Sequence, residues 1–236
     1  MYPPPKNIHS SWHPFPHWGL IEPARKKLVY KQFSPLNPHQ VFRGFKEVPL
    51  SKLNVVILGQ DPYPDIRNAC GLAFAIPDED REFDKWPVSL KIIAKALGSF
   101  LQQNHACLNI NVENIGNFLS PDLFLWETEG IMLLNAAFTC QIGKPGSHYE
   151  DWKPLTAALI KWINEVREKV IFWFIGKKQV ENFAYFVDTE KNYLFTSIHP
   201  GALRYNPDRK FDDKFEEIDN LYKKIHGRYP DWVLPF

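Results

Sequence analysis

Hydrophobic positions along the chain fall into two kinds of segment: short apolar runs, and longer stretches with apolar residues three and four apart. Residues 53–59 read Leu-Asn-Val-Val-Ile-Leu-Gly, residues 131–135 Ile-Met-Leu-Leu-Asn, and residues 170–176 Val-Ile-Phe-Trp-Phe-Ile-Gly. Runs this short, this apolar and bounded by glycine or a polar residue predict strands buried on both faces. Tyr193-Leu194-Phe195-Thr196-Ser197 is the fourth candidate strand. Between these runs, Leu90, Ile93, Ala94, Leu97, Phe100 and Leu101 fall on one helical face. Trp152, Leu155, Leu159, Trp162, Ile163 and Val166 trace a second face, and Phe211, Phe215, Ile218, Tyr222 and Ile225 a third. Strands alternating with helices predict a three-layer α/β/α architecture around a central four-stranded, mostly parallel sheet.

Residues 1–40 break the pattern. Tyr2-Pro3-Pro4-Pro5, His13-Pro14-Phe15-Pro16, Pro35 and Pro38 predict an irregular arm, because proline removes the backbone donor that regular structure needs. The arm is expected to pack against the domain, with partner binding as the alternative. No repeat or Gly/Ser linker divides the remainder, so residues 1–236 are expected to form a single domain. A chain of 236 residues buries roughly 70–75% of its unfolded surface and needs no staples.

The formal net charge of +1 argues against holding nucleic acid by bulk electrostatics, though a local basic stripe remains open. Cys70, Cys107 and Cys140 are odd in number and far apart, which fits reduced thiols in a cytoplasmic or nuclear setting. They are too few for a four-thiolate cluster. No charged-then-apolar leader opens the sequence and no run is long enough to span a bilayer, so neither secretion nor a membrane partner is expected.

In a parallel α/β sheet, ligands sit beyond the carboxyl ends of the strands. The first predicted strand runs into Gly59-Gln60-Asp61-Pro62-Tyr63-Pro64, the second ends at Asn135, and the fourth is followed by His199-Pro200-Gly201-Ala202-Leu203-Arg204. An acid, an amide and an imidazole therefore converge on one edge. Pro62 keeps Asp61 out of helical geometry, and a carboxylate on such a loop can orient water or steady a developing cation; equally, it can cap the loop. Asn135 offers one acceptor and two donors, enough to read a pyrimidine edge, or a bond to nearby backbone. His199 can act as acid or electrophile or be a packed ring, and no HxxxH or HxH spacing supports a metal site. Phe74 can stack on a ligand ring or belong to the core. Lys177, Lys178 and Arg204 are candidates for phosphate contact, with solvated surface as the ordinary reading.

These residues resemble a family 1 uracil-DNA glycosylase. Gly59-Gln60-Asp61-Pro62-Tyr63 is similar to the family's water-activating motif, followed by Gly71-Leu72-Ala73-Phe74. Pro87-Val88-Ser89-Leu90 resembles its Pro-Pro-Ser-Leu loop, and Leu133-Leu134-Asn135 its Leu-Leu-Asn strand end. Gly146-Ser147-His148 with Trp152 and His199-Pro200-Gly201-Ala202-Leu203 complete an ordered series. Two departures stand out: Pro64 replaces a histidine, and Gly201-Ala202 replaces Ser-Pro.

The resemblance implies hydrolysis of the N-glycosidic bond of uracil in DNA, during base excision repair, with no cofactor and no metal. Asp61 and His199 are the implied catalytic pair. Gln60, Tyr63, Phe74 and Asn135 would hold the base, with the Tyr63 ring against C5. DNA contacts would come from Pro87, Ser89, Ser147 and His148, and from Pro200, Gly201, Leu203 and Arg204, Leu203 filling the vacated stack. The implied partner is uracil-containing DNA, single- or double-stranded, with a proteinaceous glycosylase inhibitor as a further candidate, and the expected state is a monomer. The competing readings are a DNA-binding replication accessory protein on the same fold and a glycosylase for a 5-substituted uracil.

Overall fold

Each of the four apolar runs forms a strand of one sheet in the computed structural model, which describes residues 3–28, 32–77, 82–205 and 211–234. In chain order the strands are β1 (Phe33–Ser34), β2 (Val55–Gly59), β3 (Ile131–Asn135), β4 (Cys140–Gln141), β5 (Ile171–Ile175) and β6 (Tyr193–Ser197). The α-helices are α1 (Glu22–Leu28), α2 (Arg43–Glu47), α3 (Val88–Asn104), α4 (Phe124–Thr128), α5 (Tyr149–Val166), α6 (Lys177–Phe183) and α7 (Phe215–His226). The main sheet has the order β3-β2-β5-β6, and all three of its ladders are parallel. Its register sets Gly59 beside Asn135 and Ile175 beside Ser197, so the carboxyl ends are level along one edge.

Alternation along the strands builds two cores. Val55, Ile57, Ile131, Leu133, Ile171, Trp173 and Ile175 face α3 and α7, where Leu90, Ile93, Leu97, Phe215, Ile218 and Tyr222 are buried. Val56, Leu58, Met132, Leu134, Phe172 and Phe174 point the other way, onto α5 and its Trp152, Leu155, Leu159 and Ile163. The three predicted layers result from this period of two.

The arm departs from the expectation of irregularity. It contains 3-10 turns at Ser10–Trp12 and Trp18–Ile21 and the helix α1. Trp12, Phe15 and Trp18 are buried in the same cluster as α5. The two indoles keep their donors satisfied: Trp12 Nε1 donates to the Val48 carbonyl at 2.9 Å and Trp18 Nε1 to the Trp12 carbonyl at 3.2 Å. Indoles bury large apolar area without stranding a polar group when this condition is met. Proline forbids long helices here, but short turns between prolines are enough to seat the rings. The antiparallel pair of β1 with β4, Phe33 against Gln141 and Ser34 against Cys140, also lies outside the predicted set; two-residue strands are too short to show alternation.

Candidate active site

The loop leaving β2 forms one wall of a cavity of about 470 Å³ at the carboxyl edge of the sheet. That loop is tied down along its whole length. Ala136 N–H donates to the Gly59 carbonyl at 3.0 Å, Ala137 N–H to that of Gln60 at 2.8 Å, and Gly143 N–H to that of Pro64 at 3.0 Å. Ser34 Oγ donates to the Tyr63 carbonyl at 2.6 Å and the Cys140 thiol to that of Pro62 at 3.4 Å. The short β1–β4 pair therefore has a local purpose: it brings Ser34 and Cys140 to the back of the loop. Gly59 allows a close approach here: a Cβ would stand 3.1 Å from Ala73 Cβ and 3.2 Å from the Phe74 ring, so these neighbours would have to give by a few tenths of an ångström. Phe74 itself has φ +65°, a left-handed conformation costing a side-chain-bearing residue roughly 1–2 kcal/mol. Tyr63 Oη donates to the Phe74 carbonyl at 3.0 Å, which fixes one ring relative to the other.

Asp61 is the sole carboxylate among the described residues lining the cavity. Its Oδ2 accepts the backbone N–H of Gly146 in a short bond, and Gln60 Nε2 donates to its Oδ1 at 3.3 Å. Burial pushes the carboxyl above its ordinary value, opposed by the Gly146 and Gln60 hydrogen bonds and by the charge of Lys178. Across the cavity, Gly201 N–H donates to His199 Nδ1 at 3.0 Å. A backbone N–H can only donate, so Nδ1 is the bare nitrogen and the neutral ring carries its proton on Nε2. Asn135 lies 3% exposed and lines the cavity. Its Nδ2 has no hydrogen-bond partner among the described residues, and a buried amide donor left in this state costs about 1–3 kcal/mol until a ligand meets it.

The cavity thus presents an oriented carboxylate, an imidazole with a donor, an open amide edge and an aromatic face. The size suits one small organic ring system. Among the described residues, no group of three or more His, Cys, Asp or Glu side chains is placed to hold a metal ion.

A family profile described as "Uracil DNA glycosylase superfamily" matches residues 45–222. The chain belongs to this superfamily. Within it, the protein named uracil-DNA glycosylase from Acinetobacter baumannii (strain SDF) is 34% identical over 197 residues, covering 83% of this chain and 76% of its own. Uracil-DNA glycosylase 1 of Bacteroides fragilis (strain YCH46) is 31% identical over 201 residues, covering 82% and 84% respectively. Among solved structures, mimivirus UNG Y322L in complex with UGI superposes with a TM-score of 0.74 over 97% of this chain and 89% of that one, at 24% identity. The fold is that of the uracil DNA glycosylase superfamily.

Of the residues singled out in the sequence, Gln60, Asp61, Tyr63, Phe74, Asn135 and His199 line one cavity, joined by Pro87, Ser89 and Gly201. Ser147, His148, Pro200 and Leu203 are not among its lining residues. Ser147 is exposed, and its Oγ accepts the Gln141 N–H at 2.7 Å. His148 is buried, with Nδ1 3.0 Å from Thr139 Oγ1, which also accepts the Trp152 indole N–H at 2.8 Å. This histidine braces the loop from inside rather than lying on the surface. Leu203 is half-buried in the 3-10 turn Pro200–Tyr205, and the side chain of Arg204 lies outside the described residues. Sequence reasoning missed Pro145, which lines the cavity, and the Gly146 donor on Asp61. The available signal was the Gly143-Lys144-Pro145-Gly146 turn, whose two glycines take φ +74° and +77°.

Proposed function

We propose that the cavity receives a single uracil base turned out of DNA and that its lining residues hydrolyse the N-glycosidic bond, the reaction of a family 1 uracil-DNA glycosylase. The observation that carries this reading is the unpartnered Asn135 amide facing the same space as Asp61 and the protonated Nε2 of His199. Extruding a base costs a few kcal/mol, which stacking on Phe74 and pairing with Asn135 offset. The Asn135 amide donates to one uracil carbonyl and accepts the ring N3–H. Cytosine presents an amine where that carbonyl stands, leaving two donors face to face at a cost of about 1–3 kcal/mol. Tyr63, flanked by two prolines and anchored through its hydroxyl to the Phe74 carbonyl, is a rigid barrier to a methyl group at C5.

As the C1′–N1 bond lengthens, the sugar becomes an oxocarbenium-like cation and the base takes up the bonding electrons. Asp61 stabilises the cation and orients the water whose oxygen bonds to C1′. His199 Nε2–H donates to the uracil carbonyl oxygen that gains negative charge. The proton lost by that water passes through the Asp61 carboxylate to the departing uracil anion, so the products are neutral uracil and an abasic site.

The direct test is base release from oligonucleotides that differ only in carrying uracil, thymine or cytosine at one position, in single- and double-stranded form. Turnover on uracil alone is the expected outcome. Tight DNA binding with no uracil released would replace this reading with that of a DNA-binding accessory protein, and faster release of 5-hydroxymethyluracil would move the specificity.

A further inference from the structure

We infer that Lys178 is a positioning residue of this site, its ammonium serving as the counter-charge that keeps the Asp61 carboxylate ionised. The inference rests on the reading of Asp61 as the group that orients water. The two hydrogen bonds that Asp61 accepts come from neutral donors, the Gly146 backbone and the Gln60 amide. A Cβ built on Gly146, whose N–H donates to Asp61 Oδ2, would stand 3.4 Å from the neutral Gln60 amide nitrogen and 4.0 Å from the Lys178 ammonium. Carboxylate and ammonium therefore flank a single glycine residue.

Lys178 is held in that place. Its carbonyl accepts the Tyr149 hydroxyl at 3.3 Å and the Asn182 amide at 2.7 Å, and its ammonium lies 5.4 Å from the centroid of the Tyr149 ring. The preceding Lys177 is different, since it pairs with Glu181 on its own helix at 3.5 Å. Among the described residues, the other titratable groups that act on Asp61 are the Cys140 thiol from β4 and the Tyr149 phenol from α5, both pushed up to about 12 mainly by burial. Across the cavity, the His199 ring is neutral in the tautomer its Gly201 bond sets. Cys140 and Tyr149 are thus uncharged at neutral pH, and among the described residues the cation acting on Asp61 is Lys178. Its charge matters most when substrate arrives, because phosphates bring negative charge and a seated base excludes water, and both act against an ionised carboxyl.

The test is an NMR titration of the Asp61 side-chain carboxyl in the full chain at low ionic strength, where surface charge is least screened, for the wild type, Lys178→Met, Lys178→Arg and Lys177→Met. The Lys178→Met midpoint is expected to lie above that of the wild type, while Lys178→Arg and Lys177→Met stay with the wild type. On uracil-containing DNA the acid limb of kcat/KM should move in the same order. An exposed charge of this kind supports a loss of about two- to five-fold on that limb beyond any loss on the plateau. An Asp61 midpoint unchanged in Lys178→Met would overturn the inference, as would a pH-independent rise in KM with a weaker salt dependence, which marks a phosphate contact. A shifted midpoint in a protein that releases no uracil would uphold the charge pairing and remove the hydrolase reading instead.

Discussion

Asp61 on the cavity wall and Glu127 in α4 are both carboxylates whose ionised forms burial disfavours. Around Asp61, a backbone N–H and an amide are already aimed at the two oxygens, and the remaining surface opens into the cavity. Around Glu127, one oxygen lies 3.5 Å from Arg43 Nη2 and the other, Oε1, has no hydrogen-bond partner among the described residues. Arg43 is also shared with Asp122 at 3.9 Å. Glu127 is pushed up to about 8, mainly by burial and against the pull of Arg43. A carboxyl raised by dehydration is thus no marker of catalysis by itself. What separates the two is whether the dehydrated group faces a space that a substrate can fill, with donors arranged to hold the charged form.

The sharpest way to break this comparison is to remove the charge at each place. Asp61→Asn should lower single-turnover uracil release by about 10²–10³-fold, the scale for losing one group that stabilises transition-state charge. Its melting temperature at pH 7 should be equal to or above that of the wild type. The asparagine oxygen still accepts the Gly146 N–H, and the charge whose dehydration raised the pKa is gone. Glu127→Gln should leave the rate of release unchanged. Equal rates in Asp61→Asn and wild type would erase the distinction.

A smaller effect is expected from opening the wall next to Asp61. Tyr63→Ala removes the ring and its hydroxyl bond to the Phe74 carbonyl, and thymine should become a substrate in the base-release assay. A fitted methyl is worth about 1–3 kcal/mol, so thymine release should rise at least ten-fold, while uracil release falls because Phe74 loses an anchor. No gain on thymine would show that the C5 side is closed by something other than Tyr63.

The region around Asp61 was legible in the sequence because its chemistry is local. The β2 and β3 runs end at Gly59 and Asn135, the parallel register sets those ends side by side, and Pro62 fixes the character of the loop between. The supports of that loop were not legible. Ser34, Cys140 and Gly146 reach it from 29, 78 and 85 residues away in sequence, through strands too short to show a period and a glycine turn whose partner is set only by tertiary packing. The arm packs against the domain as expected, but its local structure and the rings that carry the packing were not legible: proline content forecasts the absence of long helices, whereas which of Trp12, Phe15 and Trp18 are buried depends on the face of α5 and α2 they meet. Glu127 gave no signal at all, since nothing in Leu125-Trp126-Glu127 says that Arg43, 84 residues earlier, lies across from it.

The least disruptive probe concerns stability and tests the Glu127 half of the comparison alone. The folded-state value of about 8 stands above the ordinary 4.5, so between those limits the unfolded chain gives up a proton that the folded chain keeps. Stability contributed by this group is therefore fully present below about pH 4.5, declines as pH rises towards 8, and stops declining once the folded glutamate also ionises. Glutamine cannot titrate. The stability of Glu127→Gln relative to wild type should consequently improve from pH 5 to pH 8, by about 2–4 kcal/mol for a folded value of about 8 in which the pull of Arg43 is already included, as read from denaturant midpoints at both pH values. If glutamine instead costs the same stability throughout that range, Glu127 is ionised in the fold at both limits and Arg43 compensates its charge in full. Asp61 would then be the one carboxylate of the pair that dehydration has left poised.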